Sequence, residues 1–194
     1  MMTHTIVSFN GDWLNSFAYL FFNKKHGWLQ EVPPLIPFHD HLSNQLRPRR
    51  YLCLHLLRIF HQVIFSLLRV TYRSIGERNK NRQDVQNVLD IGTATGGPLS
   101  TIISYFSPKT RILGIDYNKH YVPACQKLFK HHSNVEIKHM NYYDLEKEEP
   151  KTLFDVIIFG SSFMILPDQT KALEIAQRKL SKNGRIYFLL TLYE

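Results

Sequence analysis

Residues 88–97 read Val-Leu-Asp-Ile-Gly-Thr-Ala-Thr-Gly-Gly, with Pro98 next. A short apolar run, an acid, and a turn of small residues stand just where a following helix would begin. Such a turn can bring backbone N–H groups and a helix N-terminus close to a nucleotide-like ligand, because side chains there would block the approach. A second apolar run, Arg111-Ile-Leu-Gly-Ile-Asp116, ends in another acid 20 residues beyond Gly96. At that spacing a carboxylate can accept hydrogen bonds from both hydroxyls of a ribose.

Together these residues resemble the first motifs of the class I S-adenosyl-L-methionine (SAM)-dependent methyltransferases, in the Rossmann-like methyltransferase superfamily. Asp90, Gly92 and Gly96 match the family's apolar-apolar-acid-apolar-Gly-x-Gly-x-Gly pattern, while Ala94 stands where a middle glycine is most common. The turn almost fits the dinucleotide signature as well, and Asp90 separates the two. A carboxylate two residues before the first glycine suits a cofactor with an amino group and a sulfonium cation, and would repel a pyrophosphate. The resemblance runs from Val88 to Leu192. Val135–Leu145 resembles the third strand and adenine loop, with Met140-Asn141 in place of the common Gly-Asp. Phe154–Phe163 resembles the fourth strand, and Leu180–Leu190 the turn into the fifth.

The resemblance implies a cofactor, SAM, and a set of residues around it. Asp90 would face the methionine amino end, and Gly92, Thr93, Ala94, Thr95 and Gly96 would line the cofactor with backbone. Asp116 would hold the ribose, Tyr117 would flank the adenine, and Asn141 with the N–H of Tyr142 would address its edge. Phe159 and the residues up to Ser162 would lie nearest the methyl group. No general base is assigned, and no metal. The histidines His39, His41, His131, His132 and His139 lack a recognised ligand spacing, which a loop or surface role explains.

From Val88 onward strand-like and helix-like segments alternate, the mark of a parallel sheet covered on both faces. The pattern predicts strands at 87–91, 111–116, 135–140, 154–160 and 185–192, and helices at 98–107 and 119–131. A last helix, capped by Asp168, carries a buried stripe of Ala172, Leu173, Ile175, Ala176 and Leu180 and ends at Asn183-Gly184. The fold class is thus a three-layer α/β/α sandwich with a mainly parallel sheet, without the family's C-terminal strands 6 and 7. Either the chain is truncated or another element closes the edge beside the fifth strand, since an open apolar edge invites pairing.

The domain organisation expected is an aromatic and basic helical extension over residues 1–84 and a SAM-binding core over residues 85–194. Of a formal charge of +8, most falls in the extension, leaving the core nearly neutral. A basic extension suits an anionic partner, whether an anionic membrane surface, a protein face or nucleic acid, with ordinary solubilising charge as the plain alternative. Residues 1–46 hold many aromatics, among them Trp13, Phe17, Phe21 and Trp28, broken by Pro33, Pro34 and Pro37. They suit a lid over the pocket or helices packed on the sheet. Over residues 51–73, His55, Arg58, Gln62, Ser66, Arg69 and Arg73 draw one polar stripe on an otherwise apolar helix, preceded by Arg47, Arg49 and Arg50. Residues 47–73 could meet a membrane surface or partner, but the favoured reading is a helix wedged against the sheet. Full spanning is disfavoured by Arg58 near the centre.

Cys53 and Cys125 sit among apolar neighbours and read as reduced, buried thiols. With no signal or transit peptide evident, the cytoplasm is expected, with peripheral membrane attachment as the variant. The function expected is methyl transfer from SAM to a small molecule or lipid. One rival is a non-catalytic methyltransferase-like subunit of a protein or membrane assembly. Another, an NAD-dependent oxidoreductase, would need a substrate domain that this length does not provide. The absence of Asn/Asp-Pro-Pro-Tyr after the fourth strand moves the expected acceptor away from amino groups of nucleic acid or protein.

Overall fold

The computed structural model describes residues 2–10 and 66–193. The aromatic and proline-broken stretch 11–46, the basic residues Arg47, Arg49 and Arg50, Cys53, and the first part of the polar-striped helix lie outside the described residues. Six strands form one sheet: β1 Met2–Asn10, β2 Asn87–Ile91, β3 Arg111–Asp116, β4 Val135–His139, β5 Phe154–Phe159 and β6 Leu180–Tyr193. Their order across the sheet is β1-β6-β5-β2-β3-β4, with β1 antiparallel to β6 and the other neighbours parallel. The helices are α1 (residues 66–79), α2 (Gly97–Ser100), α3 (Val122–Phe129), α4 (Leu145–Glu148) and α5 (Gln169–Lys179).

The central strands are apolar almost throughout because they are buried on both faces, and successive side chains point to opposite sides. On one face Val88, Ile112, Val156, Ile158 and Tyr187 pack with Tyr72 and Ile75 of α1, Leu99 of α2 and Phe129 of α3. On the other, Leu89, Leu113, Ile157, Phe159 and Phe188 pack with Ala172, Ile175 and Ala176 of α5. The α1 helix is therefore part of the core. Its Asn79 side chain, buried with it, donates to the Tyr187 hydroxyl of β6 at 2.9 Å.

The edge beside β6 is closed by β1, which runs from Met2 opposite Tyr193 to Asn10 opposite Arg185. Of the two alternatives read from the sequence, another element does close that edge, and it comes from the start of the chain. Two local expectations are corrected. The helix after β2 stops at Ser100, and a 3-10 turn, Ile103–Tyr105, follows. The Ser100 and Thr101 hydroxyls donate to the Gly97 and Pro98 carbonyls, each at 2.7 Å, and the β-branched run that follows is a poor helix former. At the other end α5 stops at Lys179, not at Asn183-Gly184. Leu180 is already extended, and Gly184 lies against the Leu180 side chain, where a Cβ would come within 2.6 Å. Lys179 is buried and donates to the Glu149 carbonyl, which ties the end of α5 down.

Glu149 also gathers charges from Arg111 at the start of β3 and Lys138 near the end of β4. Its carboxylate accepts from Arg111 at 2.8 and 3.0 Å, from Lys138 at 2.8 Å and from the Thr152 hydroxyl at 2.9 Å. The Arg111 hydrogen bonds, working against burial, hold its carboxyl at about 2. This group contributes stability that is complete above its ordinary value and fades as the pH falls toward 2. Glu149→Gln should cost about 2–3 kcal/mol at pH 7. That is less than for breaking a fully buried pair, because the Arg111 side chain is 33% exposed. Urea midpoints should show this loss, and the two proteins should converge as the pH is lowered from 5 to about 2.

Candidate functional site

The C-terminal ends of β2, β3, β4 and β5 meet on one rim of the sheet, bordered by the connecting turns. The turn after β2 is pinned at several points. Gly92 and Thr93 both donate their N–H to the Ile115 carbonyl, at 2.9 and 3.2 Å, and Gly96 N–H donates to Thr93 O at 2.9 Å. Gly92 and Gly96 are left-handed, with φ of 79° and 83°, and so is Ala94, with φ of 50°. At Gly92 a Cβ would fall 2.6 Å from the Ser162 Cβ, and at Gly96 2.6–2.7 Å from Phe129 and Cys125. Protein neighbours, then, require these two glycines to be small. The Ala94 methyl is half-buried, and Thr95 is exposed at the tip of the turn.

Asp116 ends β3 beside this turn. One carboxylate oxygen accepts the Ala94 N–H at 2.7 Å and the other the Asn118 N–H at 2.7 Å. The carboxylate is half-buried, and each oxygen keeps acceptor capacity beyond its single backbone donor. Tyr117 follows, 75% exposed, and its carbonyl meets the His139 ring nitrogen at 2.9 Å. After β4, the exposed Asn141 caps the 3-10 turn Tyr142–Asp144, accepting the Tyr143 N–H at 3.1 Å. The Tyr142 N–H opens that turn, where a helical first turn leaves donors over.

Three expected residues sit differently from the rest. Asp90 has no exposed surface. It shares a sheet face with Val88, the face that α1 covers, and so its carboxylate points away from solvent toward Tyr72. The Tyr72 hydroxyl donates to Oδ1 at 2.6 Å, and the Thr93 hydroxyl lies 2.9 Å from Oδ2. Burial pushes the Asp90 carboxyl up to about 6, against the pull of those two donors. Tyr142 turns its ring inward and donates its hydroxyl to Ala172 O at 2.9 Å. Phe159 lies on the α5 face, stacked on Phe188 with ring centroids 5.0 Å apart. The side chains of Tyr142 and Phe159 thus belong to the core, and only their backbone reaches the rim.

Of the other rim residues, Tyr72 and Arg69 were not read from sequence as part of this site, whereas Ser161 and Ser162 were. Tyr72 covers Asp90 and crosses to Gly160 at the end of β5, where any Cβ would collide with the Tyr72 hydroxyl. Arg69, one turn earlier on α1, brings a guanidinium nitrogen to 3.7 Å from where a Cβ on Gly97 would stand. Ser162 donates its hydroxyl to the Ile91 carbonyl at 2.6 Å, joining the ends of β2 and β5. Ser161 is left-handed, with φ of 64°. Nothing in the periodicity distinguishes Tyr72 from any other buried aromatic. Arg69 was visible only as part of a polar stripe.

A family profile described as a methyltransferase domain matches residues 83–190. The chain belongs to the methyltransferase-domain family. Solved structures agree with the architecture of this methyltransferase domain. The plantazolicin methyltransferase BpumL, solved with a monoazolic desmethylPZN analog and SAH, has a TM-score of 0.55 at 19% identity, covering 66% of this chain and 48% of its own. The CurJ carbon methyltransferase has a TM-score of 0.54 at 16% identity, covering 62% and 34%. The YcgJ protein from Bacillus subtilis has a TM-score of 0.51 at 21% identity, covering 61% and 49%. At these identities the likeness establishes the fold. This chain spans about half the length of BpumL, and no curated protein matches it. Among the described residues no helix is long and apolar enough to cross a membrane.

The three left-handed positions of the turn after β2 make a contrasting pair of substitutions. Gly92→Ala adds both backbone strain and the clash with Ser162, and should cost about 2–4 kcal/mol. Ala94→Gly relieves strain at the one non-glycine member and should gain about 0.5–1 kcal/mol. Thermal melts of both variants beside the parent protein check the opposite signs.

Proposed function

We propose that this methyltransferase domain binds SAM across the ends of β2, β3 and β4 and transfers its methyl group to a small molecule or lipid. One observation carries the reading. Asp116 presents a half-buried carboxylate, oriented by two backbone N–H groups, beside a left-handed turn whose tip is exposed. Two fixed acceptor oxygens suit the paired hydroxyls of a ribose. The rest of the rim fits the same ligand. Tyr117 offers an exposed ring for the adenine face, and Asn141 and the Tyr142 N–H lie at the next strand end for its edge. Gly92 to Gly96 supply backbone along the rim, with Thr93, Ala94 and Thr95 between them. Asp90 takes no direct contact in this reading, because Tyr72 covers it.

When bound, SAM supplies a methyl group on an already activated leaving group. The protein's part is then mainly to position the acceptor in line and keep water out. The segment after β5 is the natural neighbour of the acceptor. It reads Gly160-Ser-Ser-Phe-Met-Ile165, with Met164 and Ile165 exposed on the 3-10 turn that follows. An apolar rim without Asn/Asp-Pro-Pro-Tyr supports an acceptor with apolar surface over an amino group of nucleic acid.

Calorimetry with SAM tests the cofactor. The parent chain should bind, NADH should not compete, and Asp116→Ala should weaken binding by about 100-fold, the loss of two charge-assisted hydrogen bonds. Incubation with methyl-labelled SAM and fractionated cell extract tests the reaction, with label expected in the small-molecule or lipid fraction. Binding without any transfer would favour a non-catalytic subunit, and no binding would overturn the reading.

A further inference from the structure

The Asp90 carboxylate sits behind the turn and is approached from two sides. From α1, Tyr72 donates its hydroxyl to Oδ1; from the turn, Thr93 donates to Oδ2. Thr93 is followed by Ala94, whose N–H holds Asp116. An unbroken path therefore leads from the phenol of Tyr72 through Asp90, Thr93 and Ala94 to the half-buried Asp116 carboxylate at the rim. The site of contact between α1 and the sheet is also confined. Gly160 admits the Tyr72 hydroxyl only because it has no Cβ, and Tyr72 is 2% exposed. We propose that Tyr72 is a positioning residue for the cofactor turn, acting through Asp90 and Thr93 to set the conformation in which Ala94 and Asp116 meet the ligand. This rests on the reading that the rim binds SAM.

The chemistry gives the role a signature that packing alone would lack. An ionised Asp90 accepts both hydroxyls. Once protonated it must donate from one oxygen, and the hydroxyl bonded there has to re-pair, Thr93 having the Asp90 backbone carbonyl at 3.1 Å as its alternative acceptor. Affinity for SAM should therefore change as the pH crosses about 6, where Asp90 takes up its proton. The titratable groups facing Asp90 are Tyr72 from α1, Asp116 from the end of β3 and Cys125 from α3. Burial pushes the Cys125 thiol up to about 12, and burial with the nearby carboxylate raises Tyr72 well above its ordinary value. Neither of those two titrates between pH 5 and 8.

The test is calorimetric affinity for SAM, from pH 5 to 8, of the full chain and of Tyr72→Phe, Asp90→Asn and the double variant. Removing one hydroxyl donor from a buried carboxylate should weaken binding about ten-fold at pH 7, and should move the acid-side midpoint from about 6 to about 7. Asp90→Asn should flatten the profile. In that background Tyr72→Phe should cost less than half as much in logarithmic affinity, since there is no charge left for the phenol to hold. Should Tyr72→Phe fail to fold, Thr93→Val approaches the same carboxylate from the other side and should move the midpoint the same way. Equal losses with and without Asp90 would overturn the role, as would a midpoint unmoved by Tyr72→Phe or one that survives Asp90→Asn. Parent protein that binds SAM while Tyr72→Phe is unchanged overturns this role alone. No binding by any form overturns the SAM reading and this role with it.

Discussion

A carboxylate with no solvent exposure in the middle of a parallel sheet costs several kcal/mol unless hydrogen-bond donors meet it. Asp90 is in that position, on the second-last residue of β2, and the strand's alternation turns it toward the face covered by α1. Its two donors come from opposite directions, a helix that precedes the strand and a turn that follows it. The energetic demand of one side chain thus joins three segments. If α1 were removed, Asp90 would lose both the Tyr72 hydroxyl and much of its cover, and the turn after β2 would lose its backing. This explains why the helix just before β2 is packed into the core despite the polar stripe along it. Arg69 and Arg73 of that stripe are exposed, while Tyr72, Ile75 and Asn79 of the same helix are buried.

The charges of the sheet fall into two sets. Arg111 at the start of β3, Glu136 and Lys138 of β4, and Glu149 neutralise one another in a connected group. Near the turn after β2, Asp90 and Asp116 have no salt bridge among the described residues. Asp90 is balanced by hydroxyls, and Asp116 by backbone amides. Amide and hydroxyl donors fix a carboxylate without cancelling its charge. The set built from ion pairs is suited to stability, and the set held by dipoles is suited to a ligand that carries positive charge and hydroxyl groups.

Strands were the most legible part of the sequence. For β2 and β3 the apolar runs between polar boundaries coincide with the observed bounds, because burial on both faces leaves no alternation to misread. The position of Asp116 followed from strand length and spacing alone. Helix ends were less legible. Hydroxyl back-bonding by Ser100 and Thr101 shortened α2, and Gly184 turned out to be a site of close packing, not a cap. The strand at Met2–Asn10 could not be assigned to the far edge of the sheet, since its partner lies more than 170 residues away and only topology links them. Tyr72 was illegible for a similar reason. Its meaning lies in a hydrogen bond to a residue 18 positions on, which no local pattern encodes.

Glycine-rich turns are usually read as space made for a ligand. In this chain the two left-handed glycines are small for the sake of Ser162 on one side and Cys125 and Phe129 on the other. The motif is therefore first a condition for folding, since it lets β2, α3 and the end of β5 converge. Convergence is also what brings Asp116, the exposed tip of the turn and Asn141 to one rim. The letters of the motif alone would persist in a protein that had lost its ligand, for as long as the sheet needed them to close. What a ligand would keep in place is different: the acceptor capacity left over on Asp116, which the fold already supplies with two backbone donors and does not exhaust.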